Sequence, residues 1–309
     1  MSPVVSAPAG TAAGVPSANV PSALLGDAQP VYLYDGTLEG MLTAVFEAFR
    51  RKEVPLEIAQ EDGLQQSLMC SYIPILTDVA KAERVRNGVS GTLGERTYEN
   101  LKRVFLSDDG RKGGVIVRYL LYTMRKGRRA CSHLANPAVA SFEELLGKVA
   151  KEAHYMLQFV RFAQLENGVY FSRIEPQASV VPLIMGHFAA RFNVQPFMIY
   201  DARHGLSGVF DTERWWLVDA RDVQEPPPSR AQDGFQALWQ TFYDTIAREE
   251  RRNPVCQRNF MPKRFWGNLC EQIPPQLRNL RPQTTTPTEA ARLGTARLGT
   301  RPDTRRLPA

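Results

Sequence analysis

The chain has 309 residues, of which 43% are hydrophobic and 23% are charged, and 38 Lys and Arg against 32 Asp and Glu give a formal charge of +6. This composition excludes wholesale disorder, a collagen-like sequence and a disulfide-rich miniprotein, and the length leaves room for one large domain or two. The pI near 9.2 favours a polyanionic partner only where the positive charge is clustered.

The ends of the chain differ in composition from its middle. Residues 1–29 are rich in Ala, Pro and Ser and carry one charge, and residues 282–309 are Arg-rich with a net charge of +3. Neither end has a helical or strand period, so both are predicted to be disordered. We expect the folded part to span 30–281 with a net charge of +4.

The cysteines and the hydropathy pattern indicate a cytoplasmic protein. No CxxC spacing occurs, so we expect free thiols and neither a metal site nor a cofactor. No apolar run reaches the ~18–20 residues of a transmembrane helix, and the N-terminus lacks the pattern of a secretory signal. We therefore expect no membrane partner. The four cysteines lie far apart, at Cys70, Cys131, Cys256 and Cys270.

The first half of the folded part alternates short strands and helices. A strand at 31–34 leads into a helix that Thr37 caps and that extends to Phe49. An extended segment at 68–76 contains Pro74, which makes it either an edge strand or a break. Apolar periodicity predicts three further helices, with Gly88, Asp109-Gly110 and Gly127 as their stops. These helices cover 78–87, 93–106 and 115–126.

The second half contains a long helix, predicted from about 138 to 166 and ending at Asn167-Gly168. The elements after it are a strand at 169–174, a helix at 181–192, a strand at 197–201, a hairpin at 209–218, and helices at 234–252 and 263–272. We predict a mixed α/β fold of the α+β class, helix-rich with a small sheet. It forms either one large domain or two closely packed subdomains divided near 135.

One face of the long helix combines polar and basic side chains with aromatic neighbours. Lys151, His154, Gln158 and Arg161 recur at steps of three, four and three, and Tyr155 and Phe162 lie beside them. Cations grip phosphate and aromatic rings stack on bases, so this face is a candidate nucleic-acid surface. The alternative is a solvated polar face of a structural helix.

A second group of candidates follows this helix. His187 and Arg191 are four residues apart, and the next strand delivers Asp201 and Arg203 into a turn with His204. His154 and His187 with Asp201 resemble a two-histidine, one-carboxylate metal triad, although hydrogen-bonded core histidines are more common. We favour Asp201 as the partner of Arg203 or Arg191 in a buried ion pair.

Two more basic clusters have both a binding and a structural interpretation. Lys263 and Arg264 lie beside Phe265 and Trp266, a pattern that binds nucleic acid or docks the rings on a core. A second cluster crowds the end of a helix, where cations are favoured by the helix dipole. Its members are Arg118, Arg125, Lys126, Arg128 and Arg129.

Several separated segments resemble a bacterial family of unknown function whose members are labelled DNA metabolism or DNA repair proteins. The resemblance covers 31–272. It rests on the run 32–49, on 77–85, on 152–156 with 159–162, on His187-Phe188 with Arg191-Phe192, on 200–203 and on 261–266. The resemblance implies a radical SAM protein as the partner. Some members of that family are fused to a uracil-DNA glycosylase-like domain, for which this chain leaves no segment.

The leading hypothesis is therefore an accessory protein that binds DNA and acts with a radical SAM partner. Its candidate contacts are Lys151, Arg161, Phe162, Arg191, Arg203, Lys263 and Arg264. The alternative is an enzyme acting on a nucleobase or nucleotide, with His154, His187 and Asp201 as catalytic candidates. A third interpretation is a protein–protein adaptor that uses Trp215-Trp216, of which one ring should point inward and the other outward.

Overall fold

A computed structural model describes residues 29–60, 70–221 and 253–269, together with the isolated positions 238 and 241. Apart from Gln29, the two termini predicted to be disordered lie outside the described residues. So does the helix predicted at 234–252, except for those two positions. Within the described ranges, no helix has both the length and the apolar character needed to cross a membrane.

The first sheet has three parallel strands with β1 (Gln29–Tyr34) in the middle. Its neighbours are β2 (Glu57–Gln60) and β3 (Cys70–Pro74), in registers that pair Tyr32 with Ile58 and with Ile73. The residues 31–34 of β1 are all buried, as expected for a central parallel strand covered on both faces. The predicted strands β1 and β3 are confirmed, with β3 at an edge, whereas β2 was not predicted.

Four helices accompany this sheet: α1 (Leu38–Arg51), α2 (Val79–Leu93), α3 (Glu95–Phe105) and α4 (Lys112–Lys126). The predicted cap of α1 is confirmed, since the Thr37 hydroxyl accepts a hydrogen bond from the Gly40 amide. The predicted stop of α2 at Gly88 is wrong. A glycine inside a helix costs only about 1 kcal/mol, and α2 continues to Gly94, whose φ of +97° ends it.

The long helix α5 (Pro137–Phe159) is shorter than predicted. Val160 adopts an extended conformation, with φ −60° and ψ 127°, so Arg161 and Phe162 are not helical. The next residues form the short strand β4 (Ala163–Gln164), which pairs with β5 (Tyr170–Ile174). Asn167-Gly168, predicted as a helix stop, is instead the turn of this hairpin, with φ of +83° at Gly168.

The second sheet has five strands in the order β4-β5-β6-β7-β8. The helix α6 (Val181–Arg191) connects the parallel pair β5 and β6 (Phe197–Asp201), and β7 (Leu206–Phe210) and β8 (Trp215–Asp219) continue antiparallel. The predicted strands and the hairpin are confirmed. Trp215 packs against the core and Trp216 is 39% exposed, as the alternation predicts.

Two hydrophobic cores meet along α5. Phe142 and Leu145 belong to the first core, around the three-stranded sheet, and Val149 and Met156 belong to the second core, under the five-stranded sheet. The change therefore falls within one continuous helix, C-terminal to the division predicted near 135. The helix-rich, mixed α+β class is confirmed, and the described residues form two small sheets where one was predicted.

The C-terminal described segment packs on the second core. An unpredicted helix α7 (Pro254–Phe260) begins after Asn253, whose side chain caps it by accepting from the Cys256 amide. The helix predicted at 263–272 is a 3-10 helix at Lys263–Asn268. Phe265 is only 3% exposed in the second core, so this ring docks the segment while the neighbouring charges face solvent.

Candidate nucleic-acid interface

A cleft of about 500 Å³ lies where the two cores meet, and we call it the central cleft. Its walls come from the loop after α3, from α5, from the loop after β5, from the turn after β6 and from the start of the C-terminal 3-10 helix. The charged and aromatic lining residues are Asp108, Asp109, Lys148, Lys151, Glu152, Tyr155, Arg203 and Arg264. Four cations and three carboxylates thus share this cleft.

Glu152 anchors one wall of the central cleft. Its side chain is only 5% exposed, and its two oxygens accept hydrogen bonds from the Gln177 amide at 2.7 Å and from Arg264 Nη2 at 2.5 Å. Arg264 Nη1 also donates to Gln177 Oε1 at 2.7 Å. A buried carboxylate needs such partners, because an unpaired buried charge is strongly destabilising. Arg264 is therefore held in one orientation by Glu152.

His204 anchors the opposite wall between two carboxylates. Its Nδ1 lies 2.6 Å from Asp201 Oδ2 and its Nε2 lies 2.7 Å from Asp108 Oδ1. Arg203 Nε donates to the other oxygen of Asp108 at 2.8 Å. The Asp201 carboxylate is fully buried and also accepts from the backbone amides of Arg203 and His204. This cluster joins the first core to the second through the loop that carries Asp108.

The two carboxylates set the protonation of His204. Burial alone would lower its pKa, but the hydrogen bonds to Asp108 and Asp201, together with their charges, raise it to about 9. Burial acts on Asp108 in the opposite direction, yet its bonds to His204 and Arg203 leave its pKa below the usual value. The imidazole is therefore a cation at neutral pH with both ring N–H groups engaged, which makes it an ionic cross-link and a poor general base.

Lys151 and Tyr155 form the basic–aromatic mouth of the cleft. The Lys151 ammonium lies 5.7 Å from the centroid of the Tyr155 ring, and the Arg264 guanidinium lies 6.0 Å from the same ring. Lys148 is paired with Glu144 at 2.6 Å. Within the described part of the chain, no carboxylate pairs with the exposed Lys151. Lys151 is thus available to bind an external anion at the mouth of the cleft.

Three of the predicted nucleic-acid contacts converge on this cleft, namely Lys151, Arg203 and Arg264, and the catalytic candidate Asp201 lies beneath it. The predicted ion pair of Asp201 with Arg203 or Arg191 is wrong, because the Asp201 carboxylate pairs with His204 instead. Asp201 offers Arg203 only a bond to its backbone amide, while the Arg203 side chain bonds Asp108.

The remaining candidates in α5 and directly after it lie outside the cleft. His154 is exposed, and its Nε2 accepts a hydrogen bond from the Gln158 amide group at 2.8 Å. Arg161 donates through Nη1 to the carbonyl oxygens of Gln158 and Val160, at 2.8 and 3.2 Å, and so covers the C-terminus of α5. Phe162 packs edge-on against three rings of the second core. Those rings are Phe188, Phe192 and Phe197.

The candidates from α6 and the C-terminus are exposed at other places. His187 meets the Phe188 ring edge-on at 5.3 Å, and Arg191 lies in the last turn of α6. The Lys263 ammonium lies 5.9 Å from the Trp266 ring. Over the residues that the structure describes, no three His, Cys, Asp or Glu side chains are grouped so as to hold a metal ion, so the triad considered for His154, His187 and Asp201 is not formed.

The sequence did not predict a role for three residues that hold the cleft together, Asp108, Glu152 and Gln177. Asp108 lies in a loop whose Asp109-Gly110 was interpreted only as a helix stop, and Glu152 occupies a polar gap in the apolar stripe of α5. Gln177 is in a loop with no pattern of its own. One signal was available: helical periodicity assigns burial to position 152, which lies one turn after the buried Val149 and one turn before the buried Met156.

Comparison with known families identifies the family to which part of the chain is similar. A family model described as a domain of unknown function, DUF4130, matches residues 111–271, just over half of the chain. The matched range runs from the start of α4 through the C-terminal 3-10 helix and includes every cleft residue described above except Asp108 and Asp109. No curated protein matches the chain.

Proposed function

The chain belongs to the DUF4130 family, whose members share a domain of unknown function. We propose that it is a nucleic-acid-binding protein whose binding site is the central cleft. The observation that carries the proposal is the mouth of the cleft, where exposed Lys151 stands over Tyr155 beside Arg264. Cations that contact phosphate and rings that stack on bases are the common elements of single-strand recognition.

The two arginines of the cleft support the proposal through their anchoring. Arg203 and Arg264 are each fixed by a carboxylate, yet their side chains remain 54% and 36% exposed. A guanidinium has five N–H donors, so an anchored arginine can contact phosphate without first losing side-chain freedom. The carboxylates of the cleft reduce its net charge, and we therefore expect moderate affinity with a clear dependence on salt.

We propose DNA as the natural ligand, on the resemblance of the separated sequence segments to proteins labelled as DNA metabolism or DNA repair proteins. Fluorescence anisotropy with short single- and double-stranded DNA tests this at several salt concentrations. We expect binding that Lys151→Glu weakens by about tenfold, since reversal of a contact charge changes the affinity by about 1.4 kcal/mol or more. Lys126→Glu, an exposed lysine of α4 outside the cleft, is the matched control.

Two outcomes would contradict the proposal. One is the absence of salt-dependent binding by the full chain. The other is equal binding by a peptide of residues 282–309, whose net charge of +3 would then account for the affinity without the cleft.

We further propose a radical SAM protein as the partner, and this proposal rests on the resemblance alone. We also propose the cytoplasm as the location, because the cysteines Cys70, Cys131 and Cys256 are free thiols, which suit a reducing compartment. Trp216 and Val218, each 39% exposed on β8, offer an apolar surface for such a partner. We expect co-purification that survives nuclease treatment and is lost in Trp216→Ser. Loss of the partner on nuclease treatment would mean that DNA alone joins the two proteins.

A further inference from the structure

A second cleft, which we call the arginine groove, lies on the other side of α5 and has a volume of about 570 Å³. Three arginines line it, namely Arg96, Arg103 and Arg128, together with Asn100 and Ser132. At about 100° per residue along an α-helix, its α5 residues Glu143, Leu146 and Ala150 lie opposite Lys148, Glu152 and Tyr155 of the central cleft. The two clefts are therefore separate sites.

Local structure brings the three arginines together. Arg96 and Arg103 are seven residues apart, two turns along the same face of α3. Arg128 comes from the 3-10 helix Arg128–Ser132 and lies against the turn at Gly94. A Cβ atom on Gly94 would be 3.4 Å from the Arg128 Cζ, so the guanidinium lies close against the backbone there. Gly94 thus both ends α2 and admits Arg128 to the groove.

Among the described residues that line this groove, positive charges outnumber negative ones. Glu143 is the one acidic residue among the described residues that line it. Within the described part of the chain, none of the three arginines forms an ion pair with a carboxylate. In the central cleft, by contrast, Arg203 and Arg264 are each neutralised by a carboxylate. The three exposed arginines converge on one concavity, and their mutual repulsion destabilises the folded state. An external anion would relieve this repulsion, so the groove is suited to bind one.

The floor of the groove is buried and largely apolar. Leu93 and Thr97 are buried there, and the buried Tyr119 ring stacks on Phe142 at 3.9 Å between centroids. Gly147 leaves open space in one wall, since a Cβ atom at that position would meet nothing within 4 Å. An arginine rim over an apolar floor suits a ligand with a charged end and a flat or apolar body.

We propose that the arginine groove binds a phosphate monoester that carries a nucleoside. Three arginines and one glutamate leave a net charge of +2, which matches the dianion of a monoester, and guanidinium groups bind phosphate in a bidentate manner. The volume exceeds that of one phosphate and accommodates a nucleoside as well. Such a monoester has two sources, a free nucleotide or the 5′-phosphate at the end of a DNA strand.

Isothermal titration with deoxyadenosine 5′-monophosphate tests the proposal, with deoxyadenosine as the uncharged comparison. We expect the monophosphate to bind at least tenfold more tightly than the nucleoside. Arg128→Ala should weaken monophosphate binding by about tenfold or more, the usual effect of losing one charge-assisted hydrogen bond. Arg129→Ala is the matched control, because Arg129 is exposed, adjacent in sequence and absent from the groove lining.

A second variant separates binding from folding. Gly147→Glu places a carboxylate on the groove wall, at a position where a Cβ atom meets nothing within 4 Å, and replaces a glycine inside α5 with a better helix former. We expect its melting temperature to equal or exceed that of the wild type while monophosphate affinity falls at least tenfold, and Gly147→Ala should retain binding. Unchanged affinity in Gly147→Glu would overturn the proposal, as would equal losses in Arg128→Ala and Arg129→Ala.

Competition distinguishes the two sources of the ligand. A DNA oligonucleotide with a 5′-phosphate that displaces the mononucleotide, while the same strand with a 5′-hydroxyl does not, assigns the groove to strand ends. Displacement by neither strand, with mononucleotide binding intact, assigns it to free nucleotides. If the monophosphate and the nucleoside bind equally tightly, or if neither binds, the proposal of a phosphate site is refuted.

Discussion

The ionic cross-link at His204 makes a quantitative prediction about stability and pH. The pKa of this imidazole rises from its ordinary value of 6.5 to about 9 in the folded protein. The folded state therefore holds the proton more tightly than the unfolded state. The resulting stabilisation is fully present below pH ~6.5 and is lost as the pH rises through ~9. Asp108 has a lowered pKa, so its contribution is lost only at acidic pH, outside this window.

The size of the effect follows from the shift and from the exposure of the ring. The rise in the pKa of His204 corresponds to at most ~3 kcal/mol in the free energy of unfolding. Because the side chain is 17% exposed and one partner, Asp108, is 31% exposed, solvent screens part of the interaction. We therefore expect ~1–2 kcal/mol. Removing the imidazole in His204→Gln should cost more stability at pH 6 than at pH 9.5, by this amount.

Urea unfolding of the wild type and of His204→Gln at pH 6 and pH 9.5 measures the difference directly. NMR titration of the His204 ring in the wild type and in Asp108→Asn gives the second reading, and we expect the pKa to fall when Asp108 loses its charge. A stability gap that is the same at both pH values, or one that widens at high pH, would refute the reasoning, because the carboxylates would then not be holding the proton.

Four further substitutions probe packing and charge, each by urea unfolding. Arg264→Leu should destabilise the protein by about 3 kcal/mol and Glu152→Gln by about 1 kcal/mol, because only the first leaves a charge buried without its partner. Gly113→Ala should cost about 2–3 kcal/mol, since the new Cβ would lie 2.3 Å from the Ile58 carbonyl oxygen; a neutral result would mean that α4 shifts freely on β2. Arg161→Ala should cost about 0.5–1 kcal/mol through the exposed carbonyls of α5 and leave DNA affinity unchanged.

Hydrophobic periodicity predicted most elements because it records burial, which is what stabilises them. The alternation of apolar and polar residues predicted the strand Phe197–Asp201 with its correct bounds, and the apolar stripe of α5 predicted a long helix. The end of α5 could not be predicted in the same way. Val160 leaves the helix although residues 160–166 carry no breaker, because the chain gains strand pairing with β5. Tertiary pairing overrode local propensity there.

The central cleft was predictable only in part for a similar reason. Periodicity places Lys151 and Tyr155 one turn apart on α5, and the turn after β6 carries Arg203. The partners that hold these groups come from distant segments: Asp108 is 96 residues from His204, and Glu152 is 112 residues from Arg264. Helical spacing carries no information about such long-range pairs, which arise from the packing of the two cores.

The salt dependence of DNA binding by the wild type and by Lys151→Ala tests the central claim most directly. If Lys151 contacts a phosphate at the mouth of the cleft, the variant should bind more weakly and its log–log slope against salt should be shallower by about 1. Lys126→Ala, outside the cleft, should keep the slope of the wild type. Identical slopes for the wild type and Lys151→Ala would contradict nucleic-acid binding through the central cleft.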